Sequence, residues 1–97
     1  MMNKYIYIAT VGRKYKIEQF EGFVALRLDH RDILQGKVFY MSENKLIIET
    51  TLSYKVGQKV SIGGFPIGGK RFMLDELSIT DNPVLDGAEI IEKEVIK

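Results

Sequence analysis

Apolar and polar residues alternate along most of this chain with the period of two that pleated strands impose. In residues 4–11, Tyr5, Tyr7, Ala9 and Val11 share one face, and Ile6, Ile8 and Thr10 share the other. Gly12-Arg13 follows, and glycine first in a two-residue loop suits a type II′ hairpin turn. Residues 14–20 alternate again, with Tyr15 and Ile17 set against Lys16 and Glu18. Glu21-Gly22 interrupts, and residues 23–28 resume with Val24, Leu26 and Leu28 on one side. These three segments predict a meander joined by tight glycine turns.

Residues 29–36 break the alternation. Asp29 is placed to cap a single helical turn, with Ile33 and Leu34 inward and Gly36 ending it. Strands are then predicted over 37–41 and 46–52 around a Ser42-Glu43-Asn44-Lys45 turn. Another follows over 59–62, after a turn at Val56-Gly57-Gln58. Residues 71–80 form the last long candidate, with Phe72, Leu74, Leu77 and Ile79 inward and a slip of phase at Asp75-Glu76 that predicts a bulge. Asp81-Asn82-Pro83 stops that ladder. In 88–97, Ala88, Ile91 and Val95 would line a helix face, yet the β-branched Ile90, Ile91, Val95 and Ile96 favour an edge strand, the reading adopted here.

Six to eight short strands at this spacing predict an all-β domain over 1–97: a core over 3–80 and an acidic C-terminal segment over 81–97. The expected architecture is a small antiparallel barrel or sandwich, of SH3-like or OB-like size, with one short helical turn. Composition agrees. Three Ala stand against 12 Ile, 7 Val, 4 Thr and ten aromatic residues. The absence of cysteine removes disulfides, thiol nucleophiles and Cys-ligated metal. No uncharged run approaches the ~20 residues a membrane helix needs, so a cytoplasmic protein with no membrane partner is expected.

Enzymatic chemistry finds little footing. Gly64-Phe65-Pro66-Ile67-Gly68-Gly69-Lys70 has the G-x-x-x-x-G-K spacing of a phosphate loop. Arg71 stands where Ser or Thr must hold magnesium, a strand follows instead of a helix, and Pro66 removes an amide donor. A flexible loop with Phe65 near its tip is the better reading. His30 is the only histidine, so a metal site would lack a second imidazole, and it reads as a solvated turn residue. Pairing it with Ser42, Ser53, Ser61 or Ser78 has no support in the sequence. Asp75 and Glu76 are adjacent and point to opposite faces of a strand. No catalytic residue, cofactor or metal ligand is nominated.

Charge divides along the chain although its sum is only +1. Residues 1–71 carry +6 and residues 72–97 carry −5, so the acidic end either neutralises the basic part or presents a second pole. If the 63–69 loop projects, Phe65 stands over Lys70 and Arg71, while Arg13, Lys14, Tyr15 and Lys16 extend a basic, aromatic rim. The expected function is a non-enzymatic protein-interaction or assembly module. Its partner is another protein or a second copy, in an oligomer or a larger assembly. By fold-level analogy alone, such modules occur among viral or prophage-type connectors. The alternative is a nucleic-acid-binding small barrel that stacks bases on Tyr15 and Phe65 and offsets phosphates with the cations. A sequence pI near 7.9, below the ~9 usual for such domains, ranks it second. A ligand-binding or hydrolytic barrel would need convergent polar groups that no cluster in the sequence supplies.

Overall fold

A computed structural model describes residues 3–96, leaving Met1, Met2 and Lys97, the last residue of the predicted tail, outside the described residues. Eight strands and no helix build it: β1 (Lys4–Val11), β2 (Lys16–Ile17), β3 (Val24–Leu28), β4 (Asp32–Ser42), β5 (Lys45–Thr50), β6 (Val60–Gly68), β7 (Arg71–Ile79) and β8 (Ala88–Ile96). They form one sheet ordered β2-β7-β3-β4-β5-β1-β8, with β6 on the other side of β7. The sheet curls around a core of Tyr7, Ala9, Val11, Leu26, Val38, Leu46, Ile48, Val60, Leu77 and Ile90, each 1 % exposed or less. It is not closed. At one rim its two ends meet, where Gly57 N–H donates to the Ile90 carbonyl, Ile90 N–H donates to the Gln58 carbonyl, and Lys59 bridges Glu89.

The strands were legible; their partners were less so. The sheet is mixed rather than antiparallel, because β7 pairs in parallel with β2 (Lys16 opposite Arg71) and with β3 (Leu26 opposite Leu77). The predicted meander does not form, since β1 lies between β5 and β8 and pairs with neither β2 nor β3. Alternation reports which face is buried, and the same pattern serves any neighbour with an apolar inner face. Only Lys16–Ile17 of the segment 14–20 is a strand. Its backbone is shared out: Lys16 N–H goes to the Lys70 carbonyl, Ile17 N–H to Glu43 and Glu18 N–H to Phe72.

The expected helical turn at 29–36 is instead a tight hairpin. Asp29 and His30 both have positive φ (50° and 59°), and Arg31 N–H closes on the Leu28 carbonyl, the arrangement of a type I′ turn. The strand β4 then runs from Asp32 through the position assigned to the helix end, Gly36. The predicted projecting loop at 63–69 is likewise a strand. Proline is tolerated there because β6 pairs on one side only. The turn lies at Gly69-Lys70, where φ values of 60° and 63° again fit a I′ hairpin. With no helix after Lys70, the phosphate-loop geometry is absent. The bulge at 75–76 is present: Gly63 faces Glu76 and Gly64 faces Leu74, leaving Asp75 unmatched. The 88–96 segment is an edge strand as expected, paired with β1 along its length.

Candidate functional site

Pairing of β2 with β7 gathers most of the nominated residues at one corner of the sheet. Lys16 lies opposite Arg71, and Phe65 lies opposite Met73 across the hairpin. Residues opposite each other share a face, and residues two apart on a strand do as well. Lys16, Arg71, Met73 and Phe65 therefore share the outer face, with Phe65 51 % exposed. Tyr15 faces the other way, its ring 5.3 Å from that of Phe72, and the Lys14 ammonium sits 5.4 Å from the Tyr15 ring. Lys70 is exposed at the hairpin tip. Arg13 stands apart, beside Asn44, Lys45 and Asp86. Two of the gathered cations have acidic neighbours: Lys16 Nζ is 3.6 Å from Glu43, and Arg71 is 3.5 Å from Glu18.

A second cluster escaped the sequence reading. The I′ turn carries His30 over the outer face of β7, where its ring meets the Glu76 carboxylate and its backbone N–H donates to Ser78 Oγ at 2.8 Å. Ser78 Oγ–H in turn donates to the other Glu76 oxygen at 2.7 Å. Glu76 is 9 % exposed and Ser78 fully buried, so this carboxylate is satisfied within the protein. Gly63 makes room for it: a Cβ there would lie 2.6 Å from Glu76 Cδ. The imidazole touches the carboxylate and not the hydroxyl, so the three side chains are not ordered as a serine–histidine–carboxylate relay. His30 is thus a partnered residue, not the solvated one expected. The signal available was the polar series Glu76, Ser78, Thr80 on one face of β7, opposite Gly63. Among the described residues, no group of three or more His, Asp or Glu side chains is placed to hold a metal ion.

A further apolar feature lies on the outer face of β4, β5, β1 and β8. Side chains from successive strands line up in one row: Phe39 opposite Ile47, Ile47 opposite Ile8, and Ile8 opposite Glu92. Phe23, 53 % exposed, extends the row with its ring 6.2 Å from Phe39. Beside it runs a charged row, Lys37 opposite Glu49, Glu49 opposite Ile6, and Ile6 opposite Glu94. None of Phe23, Phe39, Ile47, Ile6 and Ile8 packs on the core. Near β8, a shallow groove among Ile6, Ile8, Ile91 and Val56 continues the apolar surface. Lys4 pairs with Glu49 at 2.9 Å, and the Lys37 ammonium lies over the Phe23 ring at 4.7 Å, so a cation partly covers that end of the apolar row.

No protein-family model, curated protein or solved structure matches the chain. No helix among the described residues is long and apolar enough to cross a membrane.

Proposed function

We propose that the chain is a non-enzymatic protein-interaction and assembly module, its curled, barrel-like sheet serving as a rigid frame for a binding face. One observation carries this reading: the row Phe23–Phe39–Ile47–Ile8 runs on the solvent side from the residue before β3 across β4, β5 and β1, and none of its members belongs to the core cluster. Contiguous apolar surface rimmed by charge is the usual mark of an interaction site. Phe23 and Phe39 have the character of anchors, since aromatic side chains carry a disproportionate share of binding energy. The hairpin corner with Phe65, Lys16 and Arg71 supplies a smaller neighbouring surface. Its two ion pairs with Glu18 and Glu43 reduce the positive field that a nucleic-acid partner would require, so that alternative has less support.

The test is the hydrodynamic mass of the purified chain, and of the chain in extract from cells that express it. The native sequence is compared with the double variant Phe39→Asp/Ile47→Asp, each checked for folding by circular dichroism. The native chain is expected above its 11.1 kDa in at least one setting, with the variant at monomer mass in both. Identical masses for the two in both settings would sink the reading.

A further inference from the structure

The outer face is polarised as well as apolar, and its polarity fits a second copy of itself. Its β8 flank is acidic, with Glu89, Glu92 and Glu94 registered against the outward residues Thr10, Ile8 and Ile6. Its β4–β5 flank presents Lys37 and Lys45 on that face, together with Glu49, which Lys4 already pairs at 2.9 Å. The apolar residues lie between. We propose that two copies stack face to face about a two-fold axis parallel to their strands, which deepens the interaction-module reading and rests on it.

Geometry selects this axis. A two-fold along the strands exchanges left for right and keeps each residue in its own row. It therefore sets β8 of one copy over β4 of the other, and β1 over β5. Glu94 then lies over Lys37 of the second copy, and Ile8 over its Ile47. A two-fold perpendicular to the strands would instead set the acidic flank on itself, which like-charge repulsion opposes. Aligned face-to-face packing with sheets about 10 Å apart is a standard arrangement for twisted sheets and leaves room for Glu–Lys pairs at the rim.

Sheet extension through β8 is the rival. Residues 91–96 of this strand have no partner on their outer edge among the described residues. A two-fold antiparallel pair must, however, set one residue opposite its own copy. Centring it on Glu92, Lys93 or Glu94, the registers that pair most of the segment, places identical charges in contact. The edge is defended against self-pairing in a way the face is not.

Four strands about 4.8 Å apart give a patch roughly 15–20 Å across. That falls short of the ~800 Å² per partner of a standard stable interface, so dissociation in the micromolar range is expected. Sedimentation equilibrium of the purified chain from about 1 to 300 µM covers that range. Lys37→Glu and Glu94→Lys should each weaken the dimer at least tenfold, and the double swap should recover most of the native affinity. Each variant is checked for folding by circular dichroism and compared at a temperature where all four chains are folded, because Lys37→Glu also sets a like charge opposite Glu49 within its own sheet. A native chain that stays monomeric throughout, single variants that dimerise as well as native, or a double swap no better than the singles would each overturn the two-fold. The wider reading fails separately, only if Phe39→Asp/Ile47→Asp also changes nothing in extract.

Discussion

The phenol of Tyr7 shows how much one atom can tie together. It is fully buried, donates to the Leu52 carbonyl at 2.8 Å and accepts from Tyr54 N–H at 2.8 Å, so it fixes the irregular segment between β5 and β6. Tyr7→Phe strands both backbone groups and should cost about 1–3 kcal/mol, read from urea unfolding at neutral pH. Burial also pushes the Tyr7 hydroxyl above its ordinary value, and Tyr54 likewise, with Tyr7 itself adding repulsion to Tyr54. An acid whose value is raised in the folded state keeps its proton there longer than in the unfolded chain. The associated stability is present below the unfolded value near 10 and is lost as pH rises through the folded one. The urea midpoint should therefore drop above about pH 10, and less steeply in Tyr7→Phe; parallel curves would show that the phenol is not responsible. Alternation placed Tyr7 inside from the sequence alone. Its hydrogen-bond partners lie 45 and 47 residues away and leave no local pattern. The same holds for His30, whose partners Glu76 and Ser78 are 46 and 48 residues distant.

Within single elements, turn chemistry was legible at residues 42–45, where no glycine stands, and hidden at Gly69-Lys70 inside a glycine-rich run. The β6–β7 hairpin closes through Gly69 and Lys70, both left-handed, but lysine carries a Cβ that makes this conformation cost roughly 1–2 kcal/mol. Gly-rich composition and Pro66 disguised the flanking strand as a loop, because both residues are poor strand formers except at an edge or bulge, which is where β6 uses them. At Gly64, φ is 149° and a Cβ would land on the Met73 carbonyl, so the bulge depends on this glycine. Lys70→Gly should relieve the strain at the tip. Part of the gain is offset by the greater freedom of glycine in the unfolded chain, leaving about 0.5–1 kcal/mol. For a domain of this size that corresponds to a melting temperature higher by ~4 °C. Calorimetry showing no rise would mean that the Lys70 side chain contributes something the turn geometry does not reveal.

At the level of the whole molecule, the two chain ends build one part of the sheet. The acidic segment looked in sequence like a charged cover, because Glu89, Glu92 and Glu94 dominate its composition. Its apolar residues matter more. Ala88 and Ile90 are buried in the core, and Gly57 and Gln58 reach across to bond the Ile90 backbone. Farther along β8, the Lys93 ammonium sits 4.9 Å from the Tyr5 ring and 5.9 Å from that of Tyr7, and donates to Ser53 Oγ at 3.1 Å. This caps the open end of the core. Deleting residues 88–97 would therefore remove a core isoleucine, worth about 2–5 kcal/mol on its own. It would also take away the cation over the tyrosines and turn β1 into an edge strand. Set against the 5–15 kcal/mol that typically holds a domain together, the sum is enough to abolish folding. The shortened chain should show no cooperative melt by circular dichroism, and a synthetic 88–97 peptide added in excess should restore one by re-pairing with β1. If instead the shortened chain melts within a few degrees of the native one, β8 is a cover over a core that closes without it, and the acidic flank of the outer face would be dispensable to the fold.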